Sequence, residues 1–436
     1  MNKKAPSPDN LVRFSQRELD EVINLHQRFT IGKKGGARAS LKFLDLTDLN
    51  FRSADLSQAD FTGSILKNAD MSNGIFIASC FYACDLRNAN LENADFKRAD
   101  FRGAYVAGAN LTGADLDSAD LREGKIMEQS SDGTLQNRQR AGDNTNDERS
   151  SWNAIFTGAQ LTETNLTGVK AISADFSDAD MTGVTINEAD LTGVKFSGAN
   201  LTDANFTGSN MTNANLQDSI MSGTVMEQVE LQGAQLDGIM DDQSMGITLE
   251  ERGEDLEDLL SKHKAWVSSA GQKGAQMDLS GVDLRHVMHL KTYPLTAIKA
   301  IKANFIDMDL NEIKMQSATL NESSFRDCRM MSADLRGSSL QNCVFSRANL
   351  SGANLSGLKF DSPDGTGVRI QRTNLSGAVM RYTDLSGTDL RDSILMGVDL
   401  TGANLEDCDL RKADLTGAIL DGVDLSAART DDAIID

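Results

Sequence analysis

Residues 53–72, SADLSQADFTGSILKNADMS, are four near-copies of one five-residue phrase. A helix repeats every 3.6 residues and a strand every 2, so neither produces a period of five. The period is not local. From Leu41 in steps of five, through Leu46, Phe51, Leu56 and Phe61 to Ile126, eighteen sites in a row are apolar, against 40% for the chain. The register resumes from Phe156 to Leu236, with Ala171 its weak member, then from Phe305 to Phe360 and from Ile370 to Leu425, predicting 59 repeats in all.

Two residues before each large apolar centre stands a small one, such as Ala54, Ala59, Ser64 or Ala69. Asp or Asn lies between them, and Thr-Gly or Ser-Gly often follows the centre, as at Thr62-Gly63 and Thr112-Gly113. Small-in, polar-out, large-in alternates as a strand does. The next two positions both point out, which forces a bend, and Gly at the second removes the Cβ penalty of a tight turn. A short side and a corner, repeated, coil into an all-β solenoid, a prism with one large and one small residue inside each side.

The phrases SADLSQADF, GANLTGADL and GANLEDCDL resemble the A(D/N)LXX motif of the pentapeptide repeat family, and the chain looks like a bacterial, two-module member of it. The resemblance implies a right-handed quadrilateral parallel β-helix with four repeats per coil. About 15 coils at the ~4.8 Å spacing of adjacent strands would span about 70 Å. Residues 20 apart should then stack: Phe61, Phe81 and Phe101; Phe156, Phe176 and Phe196; Phe305, Phe325 and Phe345.

Solenoid ends need blunting. Residues 15–29, SQRELDEVINLHQRF, predict an amphipathic helix with a Ser15/Glu18 capping box and a face of Leu19, Val22, Ile23 and His26. The pattern returns at TLEERGEDLEDLLSKHKAW, with Thr248/Glu251 as the box and Leu256, Leu259, Leu260 and His263 as the face. Leu19 to His26 and Leu256 to His263 share a spacing of seven. The expected organisation is a disordered tail (1–14), then two units, 15–244 and 245–436, each a cap helix followed by a prism.

Three stretches break the register. Residues 127–150, almost without apolar side chains, predict a solvated loop or disordered excursion carrying Arg138 and Arg140. Residues 286–304 interrupt the second unit, with PLTAIKAIKANF expected as a short helix from Pro294 exposing Lys299 and Lys302. Residues 361–369 are expected as a small loop replacing one repeat. Loops leaving a repeat are the usual interaction sites of solenoids, so these four basic residues are candidate partner contacts.

Cys84, Cys328, Cys343 and Cys408 occupy the small interior slot, where Cys behaves as a slightly larger Ala. Cys80 alone points out. Neither Cys80/Cys84 nor His286/His289 brings the further ligands a metal needs. No cofactor, metal or catalytic residue is expected, and the regular Asp ladders imply no pocket or activated nucleophile. Unpaired thiols and the absence of a leader or an 18-residue apolar run predict a soluble cytoplasmic protein with no membrane span.

With 64 acidic and 43 basic residues the net charge is −21, which argues against direct nucleic-acid binding. The family resemblance implies one alternative: some members bind topoisomerases as mimics of duplex DNA, making DNA gyrase a possible class of partner. Residues 151–240 hold 11 acidic and 2 basic residues, but 305–360 hold 6 of each, which interrupts a continuous polyanion. The leading expectation is a non-catalytic scaffold that meets an unknown protein partner through loops and flat faces.

Overall fold

Every pentapeptide has five backbone N–H groups that need acceptors, and their destinations define the fold. The computed structural model describes residues 11–124, 127–129, 135–137, 153–241, 246–287, 289–361 and 368–435. Asp55–Ala59 and the residue after it show the rule. Leu56 N–H donates to the Ile75 carbonyl (2.8 Å) and Gln58 N–H to that of Ile77 (2.8 Å), both one coil further on. Ala59 N–H closes the corner on Leu56 O (2.9 Å), and Asp60 N–H reaches back to Ala39 O (3.2 Å). The remaining donor, Ser57 N–H, goes to the Asp55 side chain (3.1 Å).

The rungs join residues 20 apart in parallel, as in Asp55–Ile75 and Asp60–Cys80, so four pentapeptides make one coil. The second corner residue is left-handed, whether Gly63 (φ 69°) or Gln58 (φ 64°). Asn200 makes the same bond to Thr202 N–H (3.2 Å) as Asp180 makes to Thr182 N–H (3.1 Å), which is why acid and amide interchange before the centre.

The interior is filled by columns. Phe61 on Phe81 and Phe81 on Phe101 are stacked with centroids 4.7 and 5.0 Å apart. Phe156, Phe176 and Phe196 form another column (4.9 and 5.5 Å), and Phe305, Phe325 and Phe345 a third (4.6 and 4.9 Å). On some sides volume is traded between slot and centre. Gly74 makes room for Phe76, whose ring would lie 2.5 Å from an added Cβ. In the opposite sense Val169 accompanies the small centre Ala171, and Ile298 accompanies Ala300, all four fully buried.

The chain divides into two compact units, residues 1–244 and 245–436. In the first, strand β1 (Val12–Arg13) pairs in parallel with β2 (Leu44–Asp45). Helix α1 (Gln16–Thr30) starts at the Ser15/Glu18 capping box and buries Leu19 and His26, with Val22 and Ile23 packed against the first coils. In the second unit α2 (Leu256–Ser268) is shorter than expected. Its N-cap is Asp255, and the Thr248/Glu251 pair closes a separate turn that ends at Gly253 (φ 72°). Leu256, Leu259 and Leu260 pack against the second core, and His263 is buried.

Several expectations are corrected. Residues 294–305 form no helix: Leu295, Ala300 and Phe305 are buried centres, and Pro294, Lys299 and Asn304 sit on rungs. The real irregularity is one extra residue, since Asp278 and Lys299 pair at a spacing of 21, absorbed where His289 turns left-handed (φ 62°) before a 3-10 turn at Leu290–Thr292. The excursion 127–150 contains an antiparallel pair, β3 (Met127–Gln129) with β4 (Leu135–Asn137). Of the loop expected at 361–369, residues 362–367 lie outside the described residues; β5 (Leu358–Asp361) and β6 (Val368–Gln371) flank it as an antiparallel pair, so Phe360 and Ile370 are exposed strand residues and not centres. The tail 1–10 lies outside the described residues, whereas Val12–Arg13 is a strand and not disordered.

Two substitutions test this account by denaturant midpoint. Phe81→Ala should cost about 3–5 kcal/mol by opening a cavity in the column. Asp180→Ala should cost about 1 kcal/mol by freeing the Thr182 N–H, while Asp180→Asn should cost much less.

Candidate functional site

The outward positions leave three kinds of surface: carboxylate columns, basic side chains and the hairpins. The carboxylates are heavily engaged. Asp190 Oδ1 accepts from both the backbone N–H and the hydroxyl of Thr192 (3.2 and 2.7 Å). Where Arg follows a centre that Asp precedes it folds back as a fork, as Arg87 does on Asp85 (2.9 and 2.6 Å) and Arg411 on Asp409 (2.8 and 2.6 Å). The Arg411 hydrogen bond holds the Asp409 carboxyl below its usual range. Arg87 also lies over the Tyr105 ring and Arg102 over Tyr82, at 4.5 and 5.2 Å from the centroids.

Two of the expected basic contacts are engaged in ion pairs. Lys299 bonds Asp278 (2.8 Å) and Lys302 reaches Glu322 (3.3 Å), each bridging neighbouring coils. Arg138 and Arg140 lie outside the described residues. One open hollow of about 470 Å³ borders Lys291, Tyr293, Asn311 and Lys314, and another of about 290 Å³ borders Arg102, Arg122 and Ile172. Both are wide at the mouth and mixed in charge, which suits a surface contact better than an enclosed substrate.

Four cysteines are buried in small slots. The thiols of Cys84, Cys328 and Cys343 donate to Phe61, Phe305 and Leu320 carbonyls at 3.0, 2.8 and 3.0 Å. Burial pushes Cys84 and Cys328 well up, and Cys343 and Cys408 to about 12, so none is a nucleophile near neutrality. Cys80 is half-exposed, 3.3 Å from the Thr62 hydroxyl. His286 and His289 are exposed, and among the described residues no group of three or more His, Cys, Asp or Glu is placed to hold a metal ion.

The hairpin β5–β6 is the surface that sequence reasoning missed. Its backbone pairs Phe360 with Arg369 and Asp361 with Val368, and it leaves Phe360, Val368 and Ile370 exposed at 43, 60 and 42%. Thr373 fixes the base: its buried hydroxyl donates to Ser356 O (2.9 Å) and accepts from Gly337 N–H (2.8 Å). A usable signal was present. Both arms alternate with period two around Pro363-Asp364-Gly365.

A parallel coil of four five-residue sides, rung by rung, defines a β-helical solenoid. The pentapeptide repeat model matches residues 37–76, 79–117, 152–183, 186–223, 209–239, 301–337, 328–362, 366–397 and 393–429, more than half of the chain. The chain belongs to the pentapeptide repeat family, whose fold is the right-handed β-helix.

Comparison with curated proteins gives no match. Among solved structures, the chain is similar to a pentapeptide repeat protein of the Arabidopsis thaliana thylakoid lumen (29% identity, 20% of this chain and 59% of that one, TM-score 0.19). It is also similar to HetL of Nostoc sp. strain PCC 7120, a protein involved in heterocyst differentiation regulation (16%, 92% and 93%, TM-score 0.17). A third is QnrB1, a plasmid-mediated fluoroquinolone resistance protein (19%, 50% and 93%, TM-score 0.23). The chain thus spans little more than half the length of the thylakoid protein. No helix among the described residues is long and apolar enough to cross a membrane.

Thiol chemistry checks the burial assignments. A maleimide reagent on the native protein should label Cys80 first, with the other four cysteines reacting only on unfolding. Fast labelling of Cys84 at neutral pH would contradict its placement.

Proposed function

We propose that the protein is a non-catalytic scaffold that docks a protein partner through its hairpins, with α1 and α2 as caps closing the first coil of each unit. The observation that carries this reading is the β5–β6 hairpin. It leaves the coil with three exposed apolar side chains, while the neighbouring flat faces carry carboxylates already engaged in their own turns. Exposed apolar groups on a projecting element mark interaction sites more often than scattered single ones do. All five cysteines are free, which supports a reducing compartment such as the cytoplasm.

The alternative is an acidic mimic of duplex DNA that binds a type II topoisomerase such as gyrase. The acidic stretch 151–240 favours it. Against it, one oxygen of Asp175, Asp180 and Asp190 is held by the following turn, and Asp175 also meets Lys195 (3.2 Å).

The two readings separate cleanly by mutation. Deleting residues 358–372 joins Gly357 to Thr373 and leaves Leu355 and Leu375 as consecutive centres five residues apart, so the variant should fold. Asp175→Asn, Asp180→Asn and Asp190→Asn together remove three charges and keep the turn acceptors. In cross-linked capture from lysate followed by binding to the purified partner, the deletion should lose the partner and the triple variant retain it. Binding to purified gyrase that survives the deletion and is lost in the triple variant would establish the mimic instead.

A further inference from the structure

His26 on α1 and His263 on α2 are both buried, at 0 and 1% exposure, and make the same pair of bonds. His26 Nδ1 accepts from the Ala39 backbone N–H (2.9 Å), and its Nε2 lies 3.0 Å from the Ser57 carbonyl. His263 Nδ1 accepts from Met277 N–H (3.1 Å), with Nε2 3.0 Å from Thr296 O. A backbone N–H only donates, so Nδ1 must present its lone pair and the ring proton sits on Nε2, where it donates to the carbonyl. Each neutral ring is therefore satisfied at both nitrogens, and each ties its helix to two consecutive turns of backbone.

We propose that His26 and His263 are acid-release latches: neutral, they hold α1 and α2 on the first coil of each unit, and protonation loosens both helices while the coils stay intact. Protonation puts a proton on Nδ1, where it meets the Ala39 or Met277 N–H head on. One bond is lost and a buried donor is left without an acceptor. The same geometry occurs in two separately packed units, so it does not depend on one local accident.

The surroundings set the direction. Burial is the main influence on both rings and lowers their pKa, and the Ser57 and Thr296 carbonyls offset it only in part. Around His26, Asp55 favours the charged ring and Arg38 opposes it. On their own helices the rings meet Phe29 (5.7 Å) and Trp266 (5.8 Å), and no carboxylate ion-pairs with His263 among the described residues. A histidine lowered in the folded state stabilises it fully above its free value of about 6.5, and that contribution is lost as pH falls toward the folded pKa. The turn carboxylates occupy another window. Asp409 and Asp414 are lowered by hydrogen bonds from Arg411 and Thr416, so their support is lost only below the ordinary carboxylate range. Mild acid therefore acts on the helices before it acts on the coils. Helix release would uncover the edge of the first coil, a surface able to pair with another strand.

The test uses the full chain. Imidazole resonances followed by NMR should give both rings a pKa below 6.5. Hydrogen exchange, corrected for its intrinsic pH dependence, should show α1 and α2 opening about tenfold more per pH unit of acidification below about 6.5, down to the folded pKa. Protection of residues 76–101 and 310–335 should be unchanged over the same range. The double variant His26→Gln/His263→Gln should show no such slope. A ring pKa of 6.5 or above, helix protection that is flat between pH 7.5 and 5, coils that open in parallel, or a slope that persists in the double variant would each overturn the proposal. If the variant does not fold, the wild-type ring pKa values and helix protection still decide it.

Discussion

The structure depends on giving every backbone N–H of a five-residue side an acceptor. Three go to neighbouring coils and one closes the corner, which leaves the donor just past the centre. The rung carbonyls are already used, so this donor needs a side-chain oxygen two residues back, at Asp or Asn. An unsatisfied buried amide costs roughly 1–3 kcal/mol, and the same requirement recurs at every repeat. The acidity of the chain is therefore partly a by-product of backbone hydrogen bonding. Where the position is Ile65, Ile75 or Val225 the side chain offers no such acceptor, and Ile75 and Val225 stand exposed.

The same ladder decides which interruptions the solenoid accepts. A detour is harmless if the chain returns to the corner it left, because the next rung then finds its partners. Tyr105 pairs with Ile155 and Ser339 with Asn374, so the coil is re-entered in register after extra stretches of thirty and fifteen residues. A single added residue is harder to absorb, and it is met with a left-handed His289 and a 3-10 turn. Long excursions thus cost the fold little and are free to carry recognition, while short ones strain the corner.

Much of this was legible in the sequence. The five-residue period and the small slot two before each centre follow from the residues at fixed positions, while the 20-residue stacking of Phe61, Phe81 and Phe101 was implied by the family resemblance. The misreadings have separate physical causes. Phe360 and Ile370 fall on the five-step count, yet both arms alternate with period two and pair with each other instead of with the coil. Around residues 295–305 the roles are reversed. Ile298 fills the slot and Ala300 the centre, so apolar spacing resembles a helix while total volume per side is preserved. Nor did the sequence separate the Thr248/Glu251 box from the start of α2, because a capping box marks a turn and does not fix the length of any helix beyond it.

Net charge is a poor guide to what such a surface recognises. A carboxylate whose Oδ1 holds a turn still presents Oδ2, but its position is fixed by the coil pitch and not by a partner. Thr192 on Asp190 and Ser376 on Asn374 make the same contact with one charged and one neutral acceptor. Charge at these sites can therefore vary without changing the fold, and any recognition that used it would need selection beyond what folding supplies. The hairpin is the opposite case. Nothing in the coil requires Phe360, Val368 and Ile370 to face solvent, and removing their segment restores an unbroken repeat. Side chains that the fold neither needs nor hides are where a function independent of the fold is to be sought.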